Sequence, residues 1–311
     1  MKRLWILPII AFILAIIFVV PLSYHRRHKV SELNFTNNPK KPERIVSLAP
    51  NLTEILFALG LDEKIVAVSN GSDYPPEAAD KERIGTFWQP NTEAIIASKP
   101  DLVVTLGFEQ HRAVADSINR LGYQVLTLKI ENIEQLLRAI NKIGNVTGKH
   151  LEAEGLIVEI KNRILSDERR TTSDEQRIKV LWVVQIEPLR VAGRNTFINE
   201  LIELAGGKNA IGPTIQQYPP LGTEELLVSG AEVILQSAMG TSNIAEQQQA
   251  AETFWSRWVN LSAVKNNRIH IVEPDTVLRL GPRLPQGIEL IARYLHPDNP
   301  AQKRDVTQQI R

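Results

Sequence analysis

The stretch from Thr147 to Arg169, TGKHLEAEGLIVEIKNRILSDER, lies near the middle of the chain and predicts one long helix. Thr147 is a suitable N-cap residue, and no proline interrupts the run. At 1.5 Å per residue such a helix spans roughly 30 Å, about the width of a small domain. Four apolar residues recur at spacings of four, three and four and form one stripe: Ala153, Ile157, Ile160 and Ile164.

Both flanks of this helix alternate apolar strands with amphipathic helices, which is typical of α/β folds with mostly parallel sheets. The predicted strands are 44–48, 65–68, 101–106 and 124–128 before the helix, and 178–184, 232–236 and 268–272 after it. We expect two α/β lobes, each a small mostly parallel sheet flanked by helices, joined by the long helix with a ligand cleft between them. The alternative is an ordinary surface helix within one larger α/β domain.

The predicted domain organisation has six parts. They are an N-terminal signal or membrane anchor (1–30), a linker (31–43), an N-terminal lobe (44–146), the linking helix (147–170), a C-terminal lobe (171–297) and a polar tail (298–311). The formal net charge of +1 gives no global field that would recruit nucleic acid. The chain has no cysteine, which excludes disulfides, thiolate metal sites and a lipid-modified N-terminal cysteine.

Residues 4–22 are uncharged and almost wholly apolar, and they follow Lys2 and Arg3. The run is longer than the usual signal-peptide core of about 7–15 residues and close to the roughly 20 that span a bilayer. No small-residue cleavage site follows it, so we expect an uncleaved membrane anchor, with signal cleavage and secretion as the alternative. Three cations after the run leave its orientation open, because positive residues favour the cytoplasmic side: Arg26, Arg27 and Lys29.

Two segments match at a constant offset of 131 residues, PNTEAIIASKPDLVV from Pro90 and LGTEELLVSGAEVIL from Leu221. Each contains a turn, a helix that opens with Thr-Glu, and an apolar strand. Acidic residues favour the first turn of any helix, which explains one glutamate on its own. The shared register favours a pseudosymmetric pair of lobes and places Glu93 and Glu224 at equivalent positions.

No catalytic or cofactor-binding pattern stands out. The six histidines are scattered without metal-ligand spacing, and neither a GxSxG elbow nor a GxGxxG loop occurs. The segment 144–150, GNVTGKH, resembles a phosphate loop but is one residue short and lacks the hydroxyl residue after its lysine. We therefore expect no enzyme activity and no resident cofactor or metal; an α/β enzyme is the alternative, against which the missing catalytic pattern counts.

Several stretches together resemble the periplasmic binding proteins of ABC importers for iron-siderophore complexes, haem and cobalamin. They are RIVSLAPNLTEILFALG (44–60), IGTFWQPNTEAIIASKPDLVV (84–104), GRNTFINELIELAGGKNAIG (193–212) and AVKNNRIHIVEPDTVLRLGPRLPQGIELIARYLHP (263–297). The resemblance covers about residues 43 to 297. It implies two lobes joined by one long helix, a metal chelate bound in the cleft, and docking on a membrane permease.

The resemblance implies ligand-facing roles for loop residues of both lobes. They are Pro50, Asn51, Tyr74, Trp88, Tyr218, Arg279, Pro282 and Arg283. Aromatic faces and guanidinium groups suit a flat, partly apolar macrocycle with polar edges. The alternative for Tyr74 and Trp88 is packing at a lobe surface. Glu93 and Glu224 match the two acidic knobs with which the family engages permease arginines.

This sequence departs from many family members because it lacks a lipid-bearing cysteine and a clear cleavage site, which favours tethering to the inner membrane. Its histidines do not resemble those of the branch that binds bare metal ions. We expect a monomeric extracytoplasmic binding protein that delivers cobalamin or a related corrinoid to permease subunits. A siderophore- or haem-binding protein of the same family, and a membrane-anchored ligand sensor, are the alternatives.

Overall fold

The first lobe is built on a parallel five-stranded sheet. The computed structural model describes residues 41–165, 176–238 and 243–297. The strands are β1 (Ile45–Ser47), β2 (Ile65–Val68), β3 (Glu82–Arg83), β4 (Leu102–Leu106) and β5 (Val125–Leu128), in the order β3-β2-β1-β4-β5. Each neighbouring pair is parallel, and β1 and β4 are buried along their whole length. Strands buried on both faces are expected to be mostly apolar, and β1 and β4 are apolar apart from one buried hydroxyl residue each, Ser47 and Thr105.

The second lobe has a mixed sheet. Its strands are β6 (Ile178–Gln185), β7 (Arg190–Val191), β8 (Gly207–Asn209), β9 (Val233–Ser237) and β10 (Ile269–Val272). The order is β10-β9-β6-β7, and β8 also pairs with β6. Only β7 runs antiparallel among the described strands. The predicted fold class, two mostly parallel sheets flanked by helices, is confirmed.

Helices connect the strands and cover the sheets. In the first lobe they are α1 (Pro50–Ala58), α2 (Thr92–Ala97), α3 (Glu109–Arg120) and α4 (Ile133–Thr147), followed by the central helix α5 (His150–Leu165). In the second lobe they are α6 (Phe197–Leu204), α7 (Thr223–Ser229), α8 (Ile244–Trp255), α9 (Ser262–Lys265), α10 (Pro274–Val277) and α11 (Leu284–Leu295). Within the described ranges no helix is both long and apolar enough to cross a membrane. The predicted anchor at 4–22 lies outside these ranges.

The start of the central helix differs from the prediction. Thr147 is not its N-cap but the last residue of α4, and its hydroxyl donates to the carbonyl of Ile143 at 2.8 Å. Gly148 separates the two helices in the left-handed conformation (φ 74°), which glycine adopts without strain. α4 continues through Gly144, where only glycine fits, because an added Cβ would lie 2.5 Å from that of Ala153. The predicted end of the central helix, 166–170, falls outside the described residues.

One hydrophobic core reaches from the first lobe through α5 into the second. Ala153 and Ile160 of α5 are buried in it, and α5 packs against α4 of the first lobe and α11 of the second. Arg163 of α5 also forms an ion pair with Glu289 of α11 at 3.0 Å. A close-packed core transmits strain and resists rearrangement, so the two lobes are held in one arrangement.

Candidate ligand-binding cleft

A cleft of about 410 Å³ opens between the two lobes. Its volume lies within the roughly 300–1,000 Å³ that is usual for small-molecule sites. Both lobes contribute to its walls. It is lined by Pro50, Asn51, Phe87, Leu106, Phe108, Ile130, Glu131, Thr196, Phe197, Gln217, Tyr218, Leu278, Arg279 and Leu280.

The first-lobe wall follows from the parallel sheet. Asn51 lies in the first turn of α1, directly after β1, and Leu106 is the last residue of β4. Glu131 follows β5. In open parallel sheets ligands bind beyond the carboxyl ends of the strands, and these residues lie there. The Asn51 side chain donates to the carbonyl of Leu280 at 3.0 Å, which joins the two walls at the base of the cleft.

Phe87 is held in this wall by a buried histidine. Nε2 of His111 lies 2.6 Å from the carbonyl oxygen of Phe87, and Nδ1 lies 2.8 Å from the hydroxyl of Thr105. The carbonyl can only accept, so Nε2 carries the proton and Nδ1 accepts from Thr105. Burial lowers the pKa of His111, which keeps this neutral form. The Phe87 ring also packs edge-on against Trp88 and Phe108, at centroid distances of 4.8 and 5.7 Å.

The second-lobe wall starts at the N-terminus of α6. Thr196 caps this helix by accepting from the backbone N–H of Asn199 at 3.2 Å, and Phe197 is the first helical residue. Gly193 allows the segment that carries Tyr218 to approach, because a Cβ there would lie 2.7 Å from the Thr214 hydroxyl. Burial raises the pKa of the Tyr218 phenol, which therefore remains a hydrogen-bond donor.

An ionic cluster crosses between the lobes beside the cleft. Glu54 of α1 is buried and accepts two hydrogen bonds from the guanidinium of Arg283, at 2.9 and 2.6 Å. Burial raises the pKa of Glu54 against the opposing effect of Arg283, while the hydrogen bond to Glu54 raises the pKa of Arg283. Arg279 pairs with Asp73 of the first lobe at 3.0 Å and with Asp275 of the second at 2.7 Å.

The structure places four of the predicted ligand-facing residues in the cleft wall and four beside it. Pro50, Asn51, Tyr218 and Arg279 line the cleft. The other four do not line it: Tyr74, Trp88, Pro282 and Arg283. Trp88 is 65% exposed and packs on Phe87, and the Tyr74 ring lies 4.1 Å from the Arg283 guanidinium carbon. The ligand-facing roles of these residues remain predictions.

Three phenylalanines of the cleft were missed by the sequence analysis: Phe87, Phe108 and Phe197. Phe108 and Phe197 stand at the first turns of α3 and α6. Their position at a helix start, where loops of an α/β fold bind ligands, was the feature of the sequence that could have identified them. From the sequence, an apolar ring at such a position is more readily interpreted as a residue of the hydrophobic core. Only the folded structure shows that the ring faces the cleft.

The two glutamates of the internal repeat occupy equivalent positions. Glu93 and Glu224 are each the second residue of a short helix, α2 and α7, and both are exposed. The strand after each helix, β4 or β9, pairs with the first strand of its lobe, β1 or β6. Among the described residues neither carboxylate has an ion-pair partner. The repeat thus places one unpaired carboxylate on each lobe.

The fold and the cleft together define a two-lobed binding protein. Residues 45–276 match the family described as periplasmic binding protein, and the chain belongs to that family. It is 30% identical over 266 residues to the uncharacterized ABC transporter substrate-binding lipoprotein YvrC of Bacillus subtilis, covering 83% of this chain and 82% of that protein.

Two solved structures extend the comparison. The periplasmic vitamin B12 binding protein BtuF of Vibrio cholerae is 28% identical, with a TM-score of 0.68, over 83% of this chain and 98% of that one. A periplasmic heme binding protein from Pseudomonas aeruginosa is 25% identical, with a TM-score of 0.70, over 83% of this chain and 94% of that one. The predicted family resemblance is confirmed, and the family is one of binding proteins and not of enzymes.

Proposed function

We propose that this chain is the extracytoplasmic solute-binding protein of an ABC importer and that it captures cobalamin or a related corrinoid between its lobes. The observation that carries the proposal is the cleft walled by aromatic rings from both lobes, Phe87 and Phe108 on one side and Phe197 and Tyr218 on the other. Such rings give a flat macrocycle a large contact area, and the polar groups between them can bind its edges.

The choice of a corrinoid rests on the relatives. Several of them are vitamin B12-binding proteins, one of which, from Vibrio cholerae, is 28% identical over 83% of this chain. Haem is the alternative ligand in this proposal, because the similar solved structure from Pseudomonas aeruginosa is a heme binding protein. Tyr74 lies in the loop at residues 73–76, Asp-Tyr-Pro-Pro, and Arg283 in the loop at residues 281–283, Gly-Pro-Arg; their contact brings the two loops together at one edge of the cleft. In the proposal this pair contacts the ligand at that edge.

Delivery to a permease would use Glu93 and Glu224. Exposed carboxylates on both lobes can meet two arginine patches at once, which fixes the orientation of the docked protein and speeds its association. We also propose that residues 4–22 tether the chain to the inner membrane, since its relative YvrC is a lipoprotein and this chain has no cysteine. The lobes 44–146 and 171–297, joined by 147–170, would work as one monomer.

Calorimetry on the full-length chain in detergent tests the ligand. Cyanocobalamin, hemin and ferrichrome are titrated in parallel, with detergent alone as the blank. We expect one-to-one binding of cyanocobalamin with a Kd of roughly 1 μM or tighter. Tight binding of hemin without cyanocobalamin would replace the corrinoid by haem, and binding of none of the three would remove the chelate from the proposal.

A further inference from the structure

Arg279 carries the only positive charge on the cleft wall formed by the described residues, and Glu131 carries the only negative one. Arg279 would therefore be the natural partner for a ligand carboxylate, because its guanidinium can bind one through two N–H groups. Glu131 is already paired with Lys129 at 2.8 Å, and both side chains are more than half exposed. The charged groups around Arg279 thus decide whether this wall of the cleft can bind a carboxylate or an uncharged group of the ligand.

The guanidinium of Arg279 is occupied on both sides. Nη1 lies 3.0 Å from an Asp73 carboxylate oxygen and 3.8 Å from Glu54, and Nη2 lies 2.7 Å from Asp275. The Arg279 side chain is only 19% exposed. A ligand carboxylate at this group would compete with Asp73 and Asp275 for its N–H donors.

The cluster as a whole is also short of positive charge. Three carboxylates, Glu54, Asp73 and Asp275, share two guanidinium groups, those of Arg279 and Arg283. Burial, and then the neighbouring carboxylates Glu273 and Asp73, raise the pKa of Asp275 against Arg279. The cluster behind this wall therefore holds one carboxylate more than it holds guanidinium groups, and a further carboxylate brought against Arg279 would meet these like charges.

We propose that the cleft selects a chelate whose edge at Arg279 carries uncharged amide groups and that Asp73 is the residue that excludes carboxylate-edged chelates. An amide can donate to the carboxylates of the cluster without displacing them, whereas a carboxylate cannot. Asp73 is 59% exposed and lies on a first-lobe loop, so replacing it removes no buried group. This inference rests on the proposed function because it names the chemistry of that ligand.

Two ligands that differ in one group test the inference. Cyanocobalamin and its monocarboxylic acids, in which one propionamide is hydrolysed, are titrated into the full-length chain in detergent. We expect wild-type protein to bind at least one of these acids roughly tenfold or more weakly than the amide. In Asp73→Asn one side of the Arg279 guanidinium is released, and the preference should fall about fivefold or more. Loosening of the lobes alone would weaken both ligands equally and leave the ratio unchanged.

Glu77→Gln is the matched control. Glu77 is exposed in the 3-10 helix Pro76–Asp80, which follows the loop of Asp73, and it is not among the described ion-pair partners of Arg279. Its replacement by glutamine changes the net charge by the same amount as Asp73→Asn. Its amide-to-acid preference should equal that of the wild type. Wild-type protein that binds every acid as tightly as the amide would overturn the inference and leave the corrinoid proposal standing. Tight hemin binding without cyanocobalamin would overturn both, because haem carries two carboxylates.

A measurement without ligand separates the two proposals if no corrinoid binds. Arg279 is labelled with an arginine-selective glyoxal, and its modification is followed by mass spectrometry. We expect labelling about fivefold faster in Asp73→Asn than in the wild type or in Glu77→Gln. Equal rates in all three proteins would show that Asp73 does not occupy Arg279 and would overturn the inference.

Discussion

Replacing Arg283 by methionine should destabilise the protein strongly and in a pH-dependent way. Methionine keeps much of the apolar stem of the side chain but removes both hydrogen bonds to the buried carboxylate of Glu54. That carboxylate is 2% exposed and cannot turn to water. The variant therefore leaves a buried charge without its main partner.

The expected loss follows from the contacts that remain. Removing one partner of a buried ion pair costs about 3–5 kcal/mol. Arg279 still lies 3.8 Å from Glu54 and keeps part of the compensation. We therefore expect the low end, a loss of about 3 kcal/mol in the free energy of unfolding near neutral pH. For a domain of this size that corresponds to a decrease in Tm of roughly 6–12 °C.

The sign of the pH dependence follows from Glu54. Burial already raises the pKa of Glu54, and without Arg283 the pKa rises further. A carboxyl with a raised folded-state pKa stabilises the folded chain at low pH, and that stability is lost as pH rises through the folded-state pKa. Urea unfolding of residues 41–311, which form a compact unit, should show a smaller loss at about pH 5 than at about pH 8.

Glu54→Gln is the control for this reasoning. It removes the buried charge itself and keeps the size of the side chain, so it should cost less than Arg283→Met at about pH 8. Adding Glu54→Gln to Arg283→Met should recover much of the stability, since no buried charge is then left. An Arg283→Met loss below about 1 kcal/mol, or one of equal size at both pH values, would refute the account.

Four further predictions concern the cleft, the docking surface and the core. Trp88→Ala should weaken ligand binding by more than about tenfold in calorimetry, whereas wild-type affinity would assign Trp88 to surface packing. Glu93→Ala combined with Glu224→Ala should leave ligand affinity intact and abolish uptake in a transport assay; unchanged uptake would exclude their docking role. Burial lowers the pKa of His111, so the unfolded chain binds a proton at this histidine more readily than the folded chain, and the free energy of unfolding should fall as pH drops below about 6.5. His111→Gln should show a shallower decline in urea unfolding, and an identical decline would show that His111 is not the cause. Gly144→Ala should lower the free energy of unfolding by about 1–3 kcal/mol in the same assay, because the new Cβ would lie 2.5 Å from the Cβ of Ala153. An unchanged free energy would mean that α4 and α5 separate easily.

The regular elements were largely predictable from the sequence. β2 was predicted at its observed bounds, because it is a short, continuously apolar run of residues. The internal repeat was also informative, because its two matching segments form the helices α2 and α7, which occupy equivalent positions in the two lobes. The start of α5 was mispredicted because Thr147 suits an N-cap and a helix end equally well from sequence alone.

The partners of the polar residues were decided only by the tertiary structure. The ligand-facing role of Arg283 remains a prediction; its pairing with Glu54, 229 positions away in the sequence, was not predicted. Arg279 lines the cleft, and its guanidinium forms ion pairs with Asp73 and Asp275 that the sequence did not predict.

The sequence by itself determined where the longer strands form, because that depends on apolar patterning and on turn residues within a few positions. The short strands β3, β7 and β8 were not predicted, since each has only two or three residues and is defined by its pairing with another strand. The tertiary structure alone decided which charges meet and which rings face the cleft. Phe87 illustrates the second case, since its place depends on His111, a residue 24 positions further along the chain. Electrostatic pairing and ring exposure depend on distances in space, which local sequence does not encode.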